Sequence, residues 1–300
     1  MVTASAPEGI ILAGEHVYGK TTHLIAAAIQ HRTQATAEPL GGDIIRLIWP
    51  PNAEASARIL STVLVEKKGP PELTSVLDVG GLAVGVYGIR KGFSVRLKGE
   101  STLNQPGRII ASQVAVFSAV AKLNNIDAKP VDMPRLIYPI ARKQGPMSDA
   151  YIVASSLGGV HLINTESAES VTTPQTLLVY AETPSDSTPK KAPPELEAQF
   201  NSIVEETAEP LKAGDQKRLG NALSAHQKLA VENELIPASS SEPCLIAEQA
   251  GAFGAKGGEG YVIAAAGPMK AEEVVKALSE KGFPAHLVEL GAIGVTLNGP

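Results

Sequence analysis

Eight residues near the start of the chain, Gly14-Glu15-His16-Val17-Tyr18-Gly19-Lys20-Thr21, have the spacing G-x-x-x-x-G-K-[ST]. Where such a segment follows a strand and opens a helix, its glycines let backbone N–H groups curl round a phosphate. The lysine then reaches the β and γ oxygens, and the hydroxyl holds Mg²⁺. Lys20 and Thr21 are therefore candidate nucleotide ligands. The carboxylate completing such a Mg²⁺ site is sought in Ser75-Val-Leu-Asp78-Val-Gly-Gly81, read as a short strand. The same eight residues also read as a tight turn capped by Thr21 or Thr22, with Lys20 in solvent. His16 is placed either to orient a substrate or the Glu15 carboxylate, or simply to hydrogen-bond. His23 and His31 are too far apart to share a metal on one helical face, where ligands stand three or four residues apart. Cys244 is the single cysteine, which excludes an intrachain disulfide and a thiolate metal cluster and fits a reducing compartment.

The elements that must position these residues are written in a core of Ala, Val, Leu and Ile. Aromatic residues are only 4% of the 300, while 28 glycines and 22 prolines turn the backbone often, which suits an α/β layering. The run 9–13 reads as a buried strand and the Ala-rich stretch 22–30 as the helix after the glycine-bounded loop. Further strands are expected at 44–49, closed by Pro50-Pro51, at 82–87 and at 93–97. Ile110, Val114, Phe117, Val120 and Ala121 fall on one face of a helix over 109–123. Residues 151–154 and 160–163, around Leu157-Gly-Gly159, read as a strand pair. The Pro-, Ser- and Lys-rich stretch 183–194 reads as an exposed loop past a domain boundary. Beyond it lie two helices, 195–212 and 215–231, then a glycine-rich turn, a strand at 261–264, a helix at 270–281 and a strand at 285–289.

Several segments resemble the mevalonate kinases of the GHMP small-molecule kinase superfamily. Ser5-Ala-Pro7, Gly14-Glu15-His16, Val17-Tyr18-Gly19 and Arg32-Thr33 resemble that family's opening. Gln144-Gly145, Ser148 and Ser155-Ser-Leu-Gly-Gly-Val160 resemble its middle, and residues 213–227 fit between. Gly251-Ala-Phe-Gly-Ala-Lys256, followed by Gly257-Gly258-Glu259-Gly260-Tyr261, resembles its last glycine loop and strand. The resemblance implies an α+β, two-lobed GHMP-kinase-like fold. Its N-terminal half, residues 1–170, would be ribosomal-protein-S5-like and carry nucleotide and substrate. Its C-terminal half, residues 171–300, would be ferredoxin-like. The resemblance also implies ATP and Mg²⁺ as cofactors, a mevalonate-like alcohol as acceptor, and Glu15 and His16 on the substrate side.

Against that pattern the charged machinery is altered. The family's phosphate loop aligns with Gln105-Pro-Gly-Arg108-Ile-Ile-Ala-Ser112-Gln113, with isoleucines where phosphate approaches the backbone. The family's lysine falls on Gly9, beside Glu8, its catalytic aspartate on Tyr151, and its Mg²⁺-binding glutamate on Ile140. The last glycine loop is about four residues shorter. Three readings follow. One is a mevalonate-kinase-like enzyme in which Lys20, Arg108, Ser112 and Asp149 take over phosphate, metal and alcohol-activating roles, with Ser112 on Mg²⁺, Asp149 or Tyr151 at the catalytic position, and Gly257, Gly258 and Gly260 against phosphate. The second is a fold-retaining relative that binds a ligand and does not turn it over. The third is a P-loop nucleotidase on another fold. Each residue also has a plain reading: Ser112 as a helix N-cap, Asp149 as a turn residue, Gly257–Gly260 as a turn, Arg142 and Lys143 as a solvated helix end. Pro134 and Pro139 fall where the family's helix is uninterrupted. With 26 Lys and Arg against 31 Asp and Glu the net charge is −5, without a basic block, so nucleic acid is not the expected partner. No apolar run has the length of a membrane span and no signal-peptide layout opens the chain. A cytoplasmic protein without membrane contact is the expectation, and either a monomer or a homodimer is compatible with it.

Overall fold

The computed structural model describes residues 1–19, 21–99, 105–184 and 189–298. Along the chain run β1 (Val2–Ala13), β2 (Leu24–Pro39), β3 (Ile44–Trp49), β4 (Ala53–Leu60), β5 (Val63–Lys68), α1 (Pro71–Tyr87), β6 (Phe93–Lys98), α2 (Pro106–Leu123), α3 (Met133–Ala141), α4 (Ser148–Leu157), β7 (Val160–Ile163), β8 (Ala168–Ser170) and β9 (Leu177–Glu182). They are followed by α5 (Pro194–Ala213), α6 (Gln216–Glu232), α7 (Ser241–Gln249), β10 (Ala252–Gly257), β11 (Tyr261–Ala266), α8 (Pro268–Glu280), β12 (Ala285–Glu289) and β13 (Thr296–Asn298). The class is α+β. The chain divides into two compact units, one of residues 1–9, 31–158 and 293–300, the other of residues 10–30 and 159–292.

In the first unit the strands lie in the order β13-β1-β2-β6-β3-β4-β5. Strand β6 pairs antiparallel with β2 and parallel with β3. Helix α2 is buried at every residue from Gly107 to Ala121, and its alanines and serines let neighbours approach on all sides. Ser112 therefore sits in the second turn and not at an N-cap, which is Gln105. The strands expected at 75–81 and 82–87 are instead the single helix α1. Pro71 opens it, Glu72 lies in its first turn, and Gly88 ends it in a left-handed conformation at φ 65°. Residues 151–154 likewise belong to a helix, α4. Gly158 and Gly159, at φ 71° and 74°, reverse the chain into β7, which was expected as a strand. Of the two prolines in α3, Pro134 lies in the first turn, where its missing N–H costs nothing, and Pro139 lies inside the helix.

In the second unit the stretch expected as a helix after Gly19 is strand β2. Leu24 to Ile29 are each fully buried, and Leu24–Ala27 pair antiparallel with Ile163–Val160 of β7. A strand covered on both faces reads as an unbroken apolar run, and periodicity cannot separate it from a buried helix. The absence of a helix at this point removes the dipole and the aligned N–H groups that a P-loop needs, so the P-loop nucleotidase reading is corrected. A four-stranded antiparallel sheet runs in the order β10-β11-β9-β12. Helices α5, α6 and α8 match the expected ones. The turn between α5 and α6 uses Gly214 at φ 71° and the Asp215 carboxylate, which accepts from the Arg218 N–H at 3.0 Å. The core here gathers Ile10, Leu12, Ile25 and Ile29 with Val204, Leu211, Leu219, Leu223 and Ile263.

Candidate functional site

Two buried ionic clusters, one in each unit, take up the candidates Arg108, Glu15 and His16. In the first unit, Glu8 of β1 meets Arg108 in the first turn of α2. Arg108 Nε donates to Glu8 Oε1 at 2.7 Å and Nη2 to Oε2 at 3.1 Å, with the side chains 0% and 4% exposed. A cation in the first turn of a helix faces the positive end of the dipole, so an anion must accompany it. Here the anion is the chain's own carboxylate, held in a bidentate fork. Gly9 and Gly107 pack backbone to backbone: a Cβ on Gly107 would collide with the Gly9 carbonyl oxygen, and one on Gly9 would meet Ala154 Cβ at 3.1 Å and Tyr151 Cδ1 at 3.2 Å. Tyr151 is 1% exposed. The Ser112 hydroxyl donates to the Arg108 carbonyl at 3.0 Å and lies 3.4 Å from Thr33 Oγ1. Asp149, half-buried in the first turn of α4, accepts the N–H of Ala150 at 2.9 Å.

In the second unit, the loop after β1 carries Glu15 and His16 into contact with His226 of α6, Lys256 of β10 and Phe200 of α5. Lys256 Nζ stands 2.5 Å from Glu15 Oε1 and donates to the Ile11 carbonyl at 3.4 Å. His226 Nε2 is 3.3 Å from Glu15 Oε2, and the Gly14 N–H is 3.4 Å from the same nitrogen. His16 Nδ1 donates to the Lys190 carbonyl at 2.7 Å. The rings of His16, His226 and Phe200 form a triangle with centroids 5.1 to 5.3 Å apart. All four polar side chains are buried. Burial alone would raise the Glu15 carboxyl, but the basic groups beside it, His226 and Lys256, outweigh that and hold it well below the usual carboxylate range. Burial pushes His226 down to about 4 against the pull of Glu15, so near pH 7 its ring is neutral and the cation facing Glu15 is Lys256. Glu15 and His16 were singled out in the sequence. His226 and Lys256 were not, although each carries a signal: His226 lies on the apolar stripe of α6 with Leu219, Leu223 and Ala230, and Lys256 interrupts an otherwise uncharged strand.

The glycine segment closes the β10–β11 hairpin. Its N–H groups are spent within the unit: Gly257 N–H donates to Gln227 Oε1 at 2.9 Å, Gly258 N–H to the Tyr261 carbonyl at 2.7 Å, and Gly260 N–H to the Gly258 carbonyl at 3.0 Å. Beside them a cavity of about 300 Å³ is lined by Ser239, Ser240, Glu242, Gly258, Tyr261 and Phe283 among others. Thr21 is exposed, Thr22 donates to the Val17 carbonyl, and Lys20 lies outside the described residues.

No family model matches the chain. A curated mevalonate kinase of Thermococcus sibiricus is 29% identical over 99% of this chain and 98% of its own length. The crystal structure of the Methanococcus jannaschii mevalonate kinase superposes with a TM-score of 0.80 at 17% identity, covering 96% of this chain and 98% of that one. That of the Lactococcus lactis galactokinase complexed with galactose gives 0.75 at 16%, covering 98% and 94%. The chain is mevalonate-kinase-like, with the two-lobed GHMP-kinase fold. On this fold Gly9, Arg108 and Tyr151 are brought together within the first unit, and Glu15 and His16 are gathered with His226 and Lys256 in the second. Among the described residues, those at the head of α2 do not fit a nucleotide phosphate with Mg²⁺: Arg108 is engaged by Glu8, the Gly9 carbonyl points an acceptor at Gly107, and Ser112 is turned to its own helix. Among the described residues no helix is long and apolar enough to cross a membrane.

Proposed function

We propose that this chain is a non-catalytic relative of the GHMP kinases, a mevalonate-kinase-like protein that holds a small ligand without transferring phosphate to it. The observation that carries this reading is the buried Glu8–Arg108 pair in the first turn of α2. Phosphoryl transfer depends on free positive charge and backbone donors arranged round the moving phosphate. Here the cation in that turn is neutralised by an internal carboxylate, and the resemblance sets the buried phenol of Tyr151 at the family's acceptor-activating carboxylate, with Asp149 two residues away. Restoring the family's lysine at Gly9 would drive a side chain into Ala154 and Tyr151. The cavity beside Gly258 is large enough for a small molecule.

A second reading, ATP- and Mg²⁺-dependent phosphorylation of mevalonate or a similar small alcohol in the cytoplasm, as in isoprenoid biosynthesis, is favoured by the near-full-length likeness to the Thermococcus protein. Calorimetry with ATP, with and without Mg²⁺, followed by a turnover assay on mevalonate, separates the two. The non-catalytic reading expects no Mg²⁺-dependent ATP binding at micromolar affinity and no ADP formed. Steady turnover lost in Ser112→Ala or Asp149→Asn would replace it with the kinase reading.

A further inference from the structure

We propose that Glu15, His16 and His226 form a binding site for a divalent transition-metal ion of the zinc type, with Lys256 as the internal cation that competes for it. The three side chains each offer one ligand atom, all within 4.8 Å of one another. Two of those atoms are already spaced for coordination. Glu15 Oε2 and His226 Nε2 are 3.3 Å apart, and the edge of a tetrahedron with metal–ligand bonds of about 2.0 to 2.1 Å is about 3.3 to 3.4 Å.

The hydrogen bonding of the cluster is incomplete, and two of the unsatisfied atoms, Glu15 Oε2 and His16 Nε2, are ones that a cation would engage. Among the described residues Glu15 Oε2, His16 Nε2 and His226 Nδ1 are buried atoms without a hydrogen-bond partner. A backbone carbonyl only accepts, so His16 carries a proton on Nδ1, bonded to the Lys190 carbonyl at 2.7 Å, and in the neutral ring Nε2 is the lone-pair nitrogen. A backbone carbonyl fixing one histidine nitrogen so that the other faces a metal is the usual second layer of a zinc site. His226 is less simply disposed. With the proton on Nδ1, its Nε2 accepts the Gly14 N–H at 3.4 Å, a long bond that a metal on Nε2 would displace, and Nδ1 has no partner among the described residues in either tautomer. One carboxylate with two imidazoles is a borderline donor set that suits Zn²⁺ better than Mg²⁺, which prefers oxygen ligands.

Charge argues in the other direction and defines the role of Lys256. Its ammonium already neutralises Glu15 through Oε1, so a dication on Oε2 brings two positive charges onto one buried carboxylate. Lys256 thus weakens metal binding, and removing it strengthens binding. This inference is independent of whether the chain transfers phosphate.

The test uses the full chain stripped with a chelator and titrated with Co²⁺, followed by Zn²⁺ in competition. The expected result is one Co²⁺ per chain with the visible absorption bands of a tetrahedral nitrogen and oxygen site, displaced by one Zn²⁺. His226→Ala and His16→Ala are each expected to weaken Zn²⁺ at least about 100-fold, more than the loss of a second-layer partner. Lys256→Met is expected to tighten it at least about tenfold, because the competing charge is gone. Circular dichroism confirms that each variant is folded, and for any variant that is not, the wild-type stoichiometry and spectrum decide. Absence of tetrahedral Co²⁺ bands in the wild-type protein, or bands that persist unchanged in a folded His226→Ala, overturns the proposal.

Discussion

The two buried ion clusters differ in how completely they close. Glu8 and Arg108 meet as a fork, with both carboxylate oxygens accepting, and the pair sits between packed backbone at Gly9 and Gly107. Glu15 is surrounded by three basic groups, yet buried lone pairs remain without donors around it. The first arrangement has the marks of a structural pair. The second has surplus ligand atoms, and it contains a group that titrates between neutral and acid pH. The likeness to the Thermococcus mevalonate kinase runs over 99% of the chain and so covers both regions.

If the first cluster is a closed pair, breaking it is the most damaging single change. Arg108→Met leaves the Glu8 carboxylate buried and unpaired, with an expected loss of about 3 to 5 kcal/mol in urea denaturation at pH 7. The double variant Glu8→Met, Arg108→Met removes both charges and is expected to recover most of that loss, since apolar replacement of a buried pair is often neutral or stabilising. A double variant as unstable as the single one would show that the pair's geometry, and not its charge balance, holds this unit.

The pH response should belong to the second cluster. His226 is lowered to about 4 from an ordinary 6.5, so between those values the unfolded chain binds a proton that the folded chain does not. Stability is then full above about pH 6.5 and falls as the pH drops towards 4, by at most about 3 kcal/mol for a shift of this size. Glu15, also lowered, adds a further loss only below its ordinary 4.5. His226→Gln should flatten the slope between pH 6.5 and 4, which denaturation at a series of pH values would measure. Lys256→Met should cost less than Arg108→Met, about 2 kcal/mol at pH 7, because His226 can take up a proton and replace the lost cation. An NMR titration of that variant should place the His226 midpoint well above 4. If the midpoint does not move, Lys256 and His226 are not coupled through Glu15.

How much of this was legible in the sequence depended on how many sides of a segment are covered. Strands β3, β6 and β12 and helices α5, α6 and α8 were readable because each has a solvated side, so charged residues punctuate the apolar ones. Strand β2 and helix α1 were exchanged for each other's class. Leu24–Ile29 has no polar residue and residues 76–84 have only Asp78, too little punctuation to reveal a period, and alanine or valine content then points the wrong way. The sites show a similar division. Glu15 and His16 were visible because they are adjacent and follow a glycine. Glu8, His226 and Lys256 come from three distant segments, and only their types were informative: each is an ionisable residue in a segment otherwise destined for burial, and such a residue must find a partner.

The smallest expected effect bears directly on the proposed function. The resemblance sets Ser112 at the serine of a phosphate loop, and on that expectation its loss would fall on ATP binding. In the present fold its hydroxyl donates to the Arg108 carbonyl one turn back in α2, a bond that competes little with the helix's own ladder. Removing it leaves no buried donor stranded, since the Arg108 carbonyl sits within the helix. Ser112→Ala should therefore change stability by no more than about 1 kcal/mol and leave ligand binding as it was. A large loss of stability would show that the contact with Thr33 is stronger than its 3.4 Å separation suggests. A loss of Mg²⁺-dependent ATP binding, with stability intact, would mean that the hydroxyl turns from its own helix towards a nucleotide, and that the head of α2 opens to one despite Glu8.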